Sequence, residues 1–340
     1  METKNRVLSF AIGVTLFLSL VTTLNAATPD FDFYKGKTIT YIVATKPGGG
    51  YDVYGRLIGK YLQKYIPGSI VIVKNVAGAG HIIGANETYM AKPDGRTIGT
   101  FNTGLIYAQL VGLQGIRFDL AKYNYIGKAN SEHRVLLVSI NSPYKSIKDL
   151  IESKEPIKMA SSGVGTASYN ETIIVAAGLG ANIKPIPGYS GREGEMAIMR
   201  GEVTGTIGSY AGLIGFIKAK ECRILLQIAN KKHRDMPDVP LAKELNLSDK
   251  GKKFMAIVAG NGDLGRLTAA PPNTQPGRLE ALREAYKKAL NDPALLKDAE
   301  KMMVDIDPAF GDEVEEMMKE VMHQPEENIT MLRSVIKIEQ

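Results

Sequence analysis

The chain has 340 residues, a formal charge of +6 and 44% hydrophobic residues, which exclude a disordered or strongly charged protein. Its one cysteine, Cys222, excludes an internal disulfide framework. The mild basic excess forms no stripe interleaved with aromatics, which argues against nucleic acid as a partner and leaves small anions open.

Residues 1–27 read as a cleaved secretory leader. Lys4 and Arg6 form a basic start, Val7 to Leu24 an apolar run, and Ala26-Ala27 precede the polar Thr28-Pro29-Asp30. The cut falls after Ala26 or Ala27, although Leu24-Asn25 departs from the usual small residue. An uncleaved anchor helix is the alternative. No second run of about 18 apolar residues follows, and no cysteine near the leader could take a lipid. An exported chain without disulfides or lipid suits the bacterial periplasm. The mature length, roughly 310 residues, is long for one core and points to two domains.

In chain order, Ile39 to Ala44 is a β-branched apolar run and reads as a buried strand. Pro47 stops the ladder, and Gly48, Gly49 and Gly50 let the backbone turn and lie bare. Val53, Leu57, Ile58, Tyr61 and Leu62 then recur at helical spacing. A strand, a naked turn and a helix start can hold an anion, because first-turn N–H groups are free and the helix end is positive. A simple capped turn is the alternative. Ser69 to Lys74 predicts a second strand. The glycines that follow, Gly78, Gly80 and Gly84, have one residue too many between the last two for a dinucleotide fingerprint. They read instead as a turn opening a helix from about His81 to Met90. Lys92-Pro-Asp-Gly95 is a turn, Thr97 to Phe101 a third strand, and Asn102-Thr103 a candidate cap. Three βα units imply a parallel sheet with ligand-binding loops along one edge.

Phe118 to Ser131 is polar, aromatic and irregular, a candidate crossing between domains. The pattern then restarts. Strands are expected at Val135–Ile140, Ile157–Ser161, Gly201–Tyr210 and Cys222–Ala229, and helices from Ser146, Ala167 and Glu193. Ser161 to Ser168 repeats the first turn's device with hydroxyls as well as glycines. Its hydroxyls could bond an oxygen ligand, or one could simply cap the helix. Lys231 to Pro240 reads as the second crossover region, with Phe254 to Gly260 starting the return leg. Arg278 to Leu290 is an amphipathic helix stopped by Asn291-Asp-Pro, and charged helices finish the chain.

Catalytic motifs are missing from the pattern. The four histidines are isolated in sequence, with no H-E-x-x-H and no cysteine pair for a metal. Gly188-Tyr-Ser-Gly-Arg has Arg192 where a nucleophile elbow requires glycine. Gly48-Gly-Gly-Tyr-Asp lacks the lysine and serine of a P-loop. Asp52 at a helix start is explained by capping. No enzyme and no cofactor are expected.

The order Tyr34-Lys-Gly-Lys, Pro47-Gly-Gly-Gly-Tyr-Asp, Asn75-Val-Ala-Gly-Ala-Gly and Lys92-Pro-Asp-Gly resembles the Bug family. These are extracytoplasmic solute-binding receptors of tripartite tricarboxylate transporters. The likeness continues through Ser161-Ser-Gly-Val-Gly-Thr, Pro187-Gly-Tyr-Ser-Gly, Met236-Pro-Asp-Val-Pro and Ala270-Pro-Pro-Asn-Thr, and so covers nearly all of the mature chain. It implies a type II periplasmic binding fold, two doubly wound α/β domains joined by crossing strands. The expected division is 28–130 for the first domain, 131–230 for the second and 231–340 for the first domain's C-terminal part. The resemblance also implies a small carboxylate ligand held in the cleft by main-chain amides, hydroxyls and bridging waters. The implied partners are a large and a small membrane subunit, with the receptor a monomer. A receptor of the same fold feeding a sensor kinase is the alternative.

The candidate ligand-binding set is Lys46, Gly48, Gly49, Gly50, Tyr51, Asp52, Ala77, Gly78, Asn102 and Thr103 from the first half. From the second half it is Ser161, Ser162, Gly165, Thr166, Tyr189, Arg192, Ser209 and Tyr210. Lys46 and Arg192 depart from the family pattern and could pair with a second carboxylate, or point to solvent. Tyr51 and Tyr210 could stack on the ligand.

Overall fold

A computed structural model describes residues 27–189 and 192–336. Apart from Ala27, the leader expected over 1–27 lies outside the described residues, as do Ser190 and Gly191. Among the described residues, no helix is long and apolar enough to cross a membrane.

The chain opens with β1 (Thr38–Val43), α1 (Gly50–Tyr65), β2 (Ile70–Asn75), α2 (Ile82–Tyr89), β3 (Thr97–Thr100) and α3 (Gly104–Val111). β1 pairs in parallel with β2 and β3, as successive βα units require. A fourth strand, β4 (Asn124–Lys128), follows. The chain then passes to a second sheet through β5 (Arg134–Ser139), α4 (Ile147–Ile151), β6 (Ile157–Ser161), α5 (Ala167–Leu179), β7 (Ile183–Pro187), α6 (Arg192–Met199), β8 (Gly205–Ser209), α7 (Tyr210–Lys218) and β9 (Cys222–Ile228). It ends with α8 (Asp249–Asp263), β10 (Leu267–Ala270), α9 (Pro276–Leu290), α10 (Pro293–Met302), β11 (Ala309–Phe310), α11 (Gly311–Met322) and α12 (Glu326–Val335).

Two sheets result, ordered β11-β4-β10-β3-β1-β2 and β7-β6-β8-β5-β9. Both are mixed rather than wholly parallel. β10 runs antiparallel to β3 and β4, and β5 antiparallel to β8 and β9. β5 and β10 each follow a crossing, where the chain enters a sheet from the other unit, and the short edge strand β11 also runs antiparallel to β4.

Two stretches differ from expectation. The irregular segment 118–131 contains β4, an interior strand of the first sheet. Its alternation is obscured because Gly127 stands where the Tyr286 ring and the Ala309 carbonyl press in. A Cβ there would meet them at 2.7 and 2.8 Å. Phe254 to Gly260 belongs to α8, whose start is capped by the Ser248 hydroxyl accepting from the Gly251 N–H at 3.1 Å. Its buried Phe254, Met255, Val258 and Ala259 follow helical spacing and pack toward α5. The chain therefore stays beside the second sheet past residue 231, and it returns to the first sheet at 264–266.

One buried apolar cluster runs through both units, with Phe101, Leu105 and Leu110 of the first meeting Ile174, Val175 and Phe254 of the second-sheet side. With no tryptophan, tyrosines carry much of the aromatic core, and several of their hydroxyls find partners. Tyr41 meets Thr268 Oγ1 at 2.6 Å, and Tyr123 donates to the Ala85 carbonyl at 2.7 Å. Gly127→Ala should overpack β4 against α9 and cost about 1–3 kcal/mol. A denaturation midpoint unchanged from wild type would contradict this placement.

Candidate functional site

A cleft of about 210 Å³ opens between the units. The first unit lines it with Gly50, Tyr51, His81, Asn102 and Arg266. The second lines it with Ser161, Ser162, Thr166, Ala167, Ser168, Tyr189, Ile207, Ser209 and Leu213, among others. Glu132 and Arg134 of the crossing lie between.

The walls are built from helix starts. α1 begins at Gly50, α5 at Ala167 and α7 at Tyr210, and residues of each first turn or cap line the cleft. None of these three starts has a side-chain cap. Thr166 and Ser209 occupy cap positions and are residue types that usually close them. Thr166 instead donates to the Gly163 carbonyl at 2.7 Å, and Ser168 accepts from the Ser162 N–H at 3.1 Å. Ser209 Oγ and Ser161 Oγ are buried without a partner. Away from the cleft, α4, α8 and α10 are closed by Ser146, Ser248 and Asp292, and α9, α11 and α12 have no side-chain cap, so it is the convergence of the open starts that marks the cleft. Three open, positive helix ends thus face one cavity, with two unsatisfied hydroxyls among them. This arrangement suits a carboxylate or another small oxyanion.

Beneath the cleft is a buried ionic cluster. Glu132 lies between Arg134, at 3.0 Å, and Arg266, which it also pairs. Arg134 reaches on to Glu171 of α5, its Nε 2.7 Å from Oε2. The Arg266 guanidinium stacks on Tyr51 at 4.2 Å and Tyr54 at 5.1 Å. It passes so close to Gly50 that a Cβ there would sit 2.8 Å from Nη2. Burial works to raise the Glu132 carboxyl, but its two guanidinium neighbours outweigh it and hold the group below its ordinary range. Glu171 meets one guanidinium, and burial pushes it up to about 7. The two crossings are stitched by main-chain bonds as well, from Ala129 N–H to the Arg266 carbonyl at 3.1 Å and from Glu132 N–H to that of Gly262 at 2.7 Å.

Of the candidate residues, Gly50, Tyr51, Asn102, Ser161, Ser162, Thr166, Tyr189 and Ser209 line the cleft. The others do not. Lys46 and Arg192 are exposed and do not line it, although the Arg192 charge acts on Glu195, which does. Gly48 and Gly49 form the turn, Gly48 at φ +83°, without reaching the cavity. Asp52 ties that turn, accepting from Gly48 N–H at 3.0 Å, Arg56 Nε at 3.0 Å and Asn75 Nδ2 at 2.9 Å. Ala77 and Gly78 stop short of the wall, Thr103 is buried at the start of α3, and Gly165 abuts Gly80 across the cleft. Tyr210 turns into a separate depression with His133 and His233, where its hydroxyl donates to Asp235 at 3.1 Å. Glu132, Arg134, Arg266 and His81 escaped sequence reasoning. The first three sit in crossings whose partners are remote in sequence. His81 carried a local signal, a bulky residue inside a glycine turn. Among the described residues, no group of three or more His, Cys, Asp or Glu is placed to hold a metal ion.

Two α/β units closing on a cleft of helix starts define a periplasmic solute-binding fold. MatC from Rhodopseudomonas palustris, solved with bound malate, superposes with a TM-score of 0.69 at 20% identity, over 88% of this chain and 99% of that one. An R. palustris protein solved with adipate gives 0.70 at 18%, over 87% and 97%. A UPF0065 protein from the tcbD-tcbE intergenic region of Pseudomonas sp. strain P51 is 26% identical over 313 residues, 87% of this chain and 90% of the relative. Residues 56–332 match the family model described as tripartite tricarboxylate transporter family receptor, and the chain belongs to that family.

Glu132→Gln leaves two buried guanidiniums with half their countercharge and should cost about 3–5 kcal/mol. Urea denaturation measures it. A loss below about 1 kcal/mol would show that the cluster does not anchor the crossings.

Proposed function

We propose that the protein is a periplasmic receptor that captures a small carboxylate between its two units and delivers it to a tripartite tricarboxylate transporter. The observation that carries this reading is the convergence of three uncapped helix starts on one cleft. First-turn amides and the hydroxyls of Ser161 and Ser209 grip the carboxylate, and the helix ends favour its charge. The malate and adipate in the two structural neighbours agree with this ligand class. Binding shifts an open–closed equilibrium toward the closed form. The leader exports the chain, which acts as a monomer with a large and a small membrane subunit as partners.

The test is a thermal-melt screen of residues 28–340 against mono-, di-, tri- and aromatic carboxylates. A ligand at about 100 times its Kd adds about 2.7 kcal/mol, enough to raise Tm by several degrees. A response confined to phosphates, or to other ligands that carry no carboxylate, would overturn the carboxylate reading. Uptake of the responding ligand in cells carrying the membrane subunits tests delivery. A receptor feeding a sensor kinase would bind without restoring uptake.

Ser161→Ala removes an unsatisfied hydroxyl, so the free protein should keep its Tm. Affinity for the responding carboxylate should fall several-fold, about 1 kcal/mol, by calorimetry. Equal affinity would remove Ser161 from the site.

A further inference from the structure

The loop before α2 is strained. Ala79, Gly80 and His81 stand in succession at φ +45°, +61° and +82°, and two of the three carry a Cβ. Left-handed backbone is costly for such residues and persists where the surroundings impose it, often at ligand clamps. Here the loop reaches the opposite unit. A Cβ on Gly80 would lie 3.5 Å from the Gly165 carbonyl carbon, so the strain holds His81 where the jaws meet.

His81 lines the cleft. Its Nδ1 lies 2.7 Å from the Ala44 carbonyl, an atom that only accepts, so Nδ1 carries the proton. Burial holds the imidazole below its ordinary range, against the pull of that carbonyl, and keeps it neutral. Nε2 is then a bare acceptor, and among the described residues nothing bonds it. Two other acceptors at this wall are engaged. Asn102 Oδ1 accepts from Gly104 N–H at 2.7 Å, and Glu132 is paired by two arginines.

We infer that His81 Nε2 accepts a hydrogen bond from a hydroxyl or ammonium group on the bound carboxylate, so that the receptor selects hydroxy- or amino-carboxylates over their unsubstituted counterparts. This rests on the carboxylate-receptor reading. Across the cleft Ser161, Ser209 and the helix starts offer donors that hold the carboxylate, and the Glu195 carboxyl, pushed up by burial, also lines that side. A ligand without a donor of its own would close the cleft over a dry imidazole lone pair, and an unsatisfied buried acceptor is unfavourable.

Calorimetry on residues 28–340 with matched ligands tests it: lactate, alanine and propionate; malate, aspartate and succinate; 2-hydroxyglutarate, glutamate and glutarate. In the set of the length that binds, the hydroxy or amino member should bind at least about tenfold more tightly than the plain one. Which of the two binds identifies the donor. In His81→Gly, suited to the left-handed backbone, that preference should shrink to within about threefold while Tm stays at or above the wild-type value. His81→Asn, which also tolerates this backbone and lacks Nε2, serves if the glycine variant melts early. Equal binding of plain and substituted carboxylates by the wild type, or a preference that survives in both variants, would overturn this inference and leave the receptor reading standing. No binding by any carboxylate would overturn both.

Discussion

Glu132, held between Arg134 and Arg266, is the contact on which the arrangement depends. It joins the two places where the chain passes between sheets. Through Glu171 it reaches the start of α5, and through Arg266 it reaches Tyr51 on α1. The helices that form both walls of the cleft are therefore referenced to one buried cluster. Two arginines and two glutamates make it formally balanced, which is what allows four ionisable groups to stay so deep. A charge left over there would be expelled or neutralised.

Above this floor, side chains and main chain divide the work. Three helix starts away from the cleft, those of α4, α8 and α10, are finished locally by Ser146, Ser248 and Asp292, while α9, α11 and α12 begin without a side-chain cap. The starts at the cleft are left open even where Thr166 and Ser209 could close them. Leaving a donor unpaired is unfavourable in the free protein, and the same donors become an asset once an oxyanion arrives. On the proposed reading, side chains such as Tyr189, Asn102 and His81 then shape what the oxyanion is attached to.

The legible parts were local. Strand, glycine turn and helix at 39–62, and strand, hydroxyl turn and helix at 157–179, are each written in a short stretch, and the structure places the helix start after the first turn, and residues of the second turn, at the cleft. What stayed hidden was made by distant residues. Glu132 is an ordinary acid until Arg266 arrives from the other crossing, and β4 is an unpromising string until β10 and β11 flank it. Lys46 and Arg192 stand out in the sequence as cations, but charge type does not reveal position, and both are exposed and absent from the cleft lining. The helix at Phe254 was obscured because a short apolar run suits strand and helix alike.

The open helix starts also bear on how such a receptor changes through descent. On the proposed reading, the grip on the carboxylate belongs to the backbone, which point substitution cannot delete. Ligand choice belongs to a few side chains on a loop and at strand ends, which substitution changes readily. A lineage built this way can exchange one nutrient acid for another in single steps without passing through a non-binding ancestor.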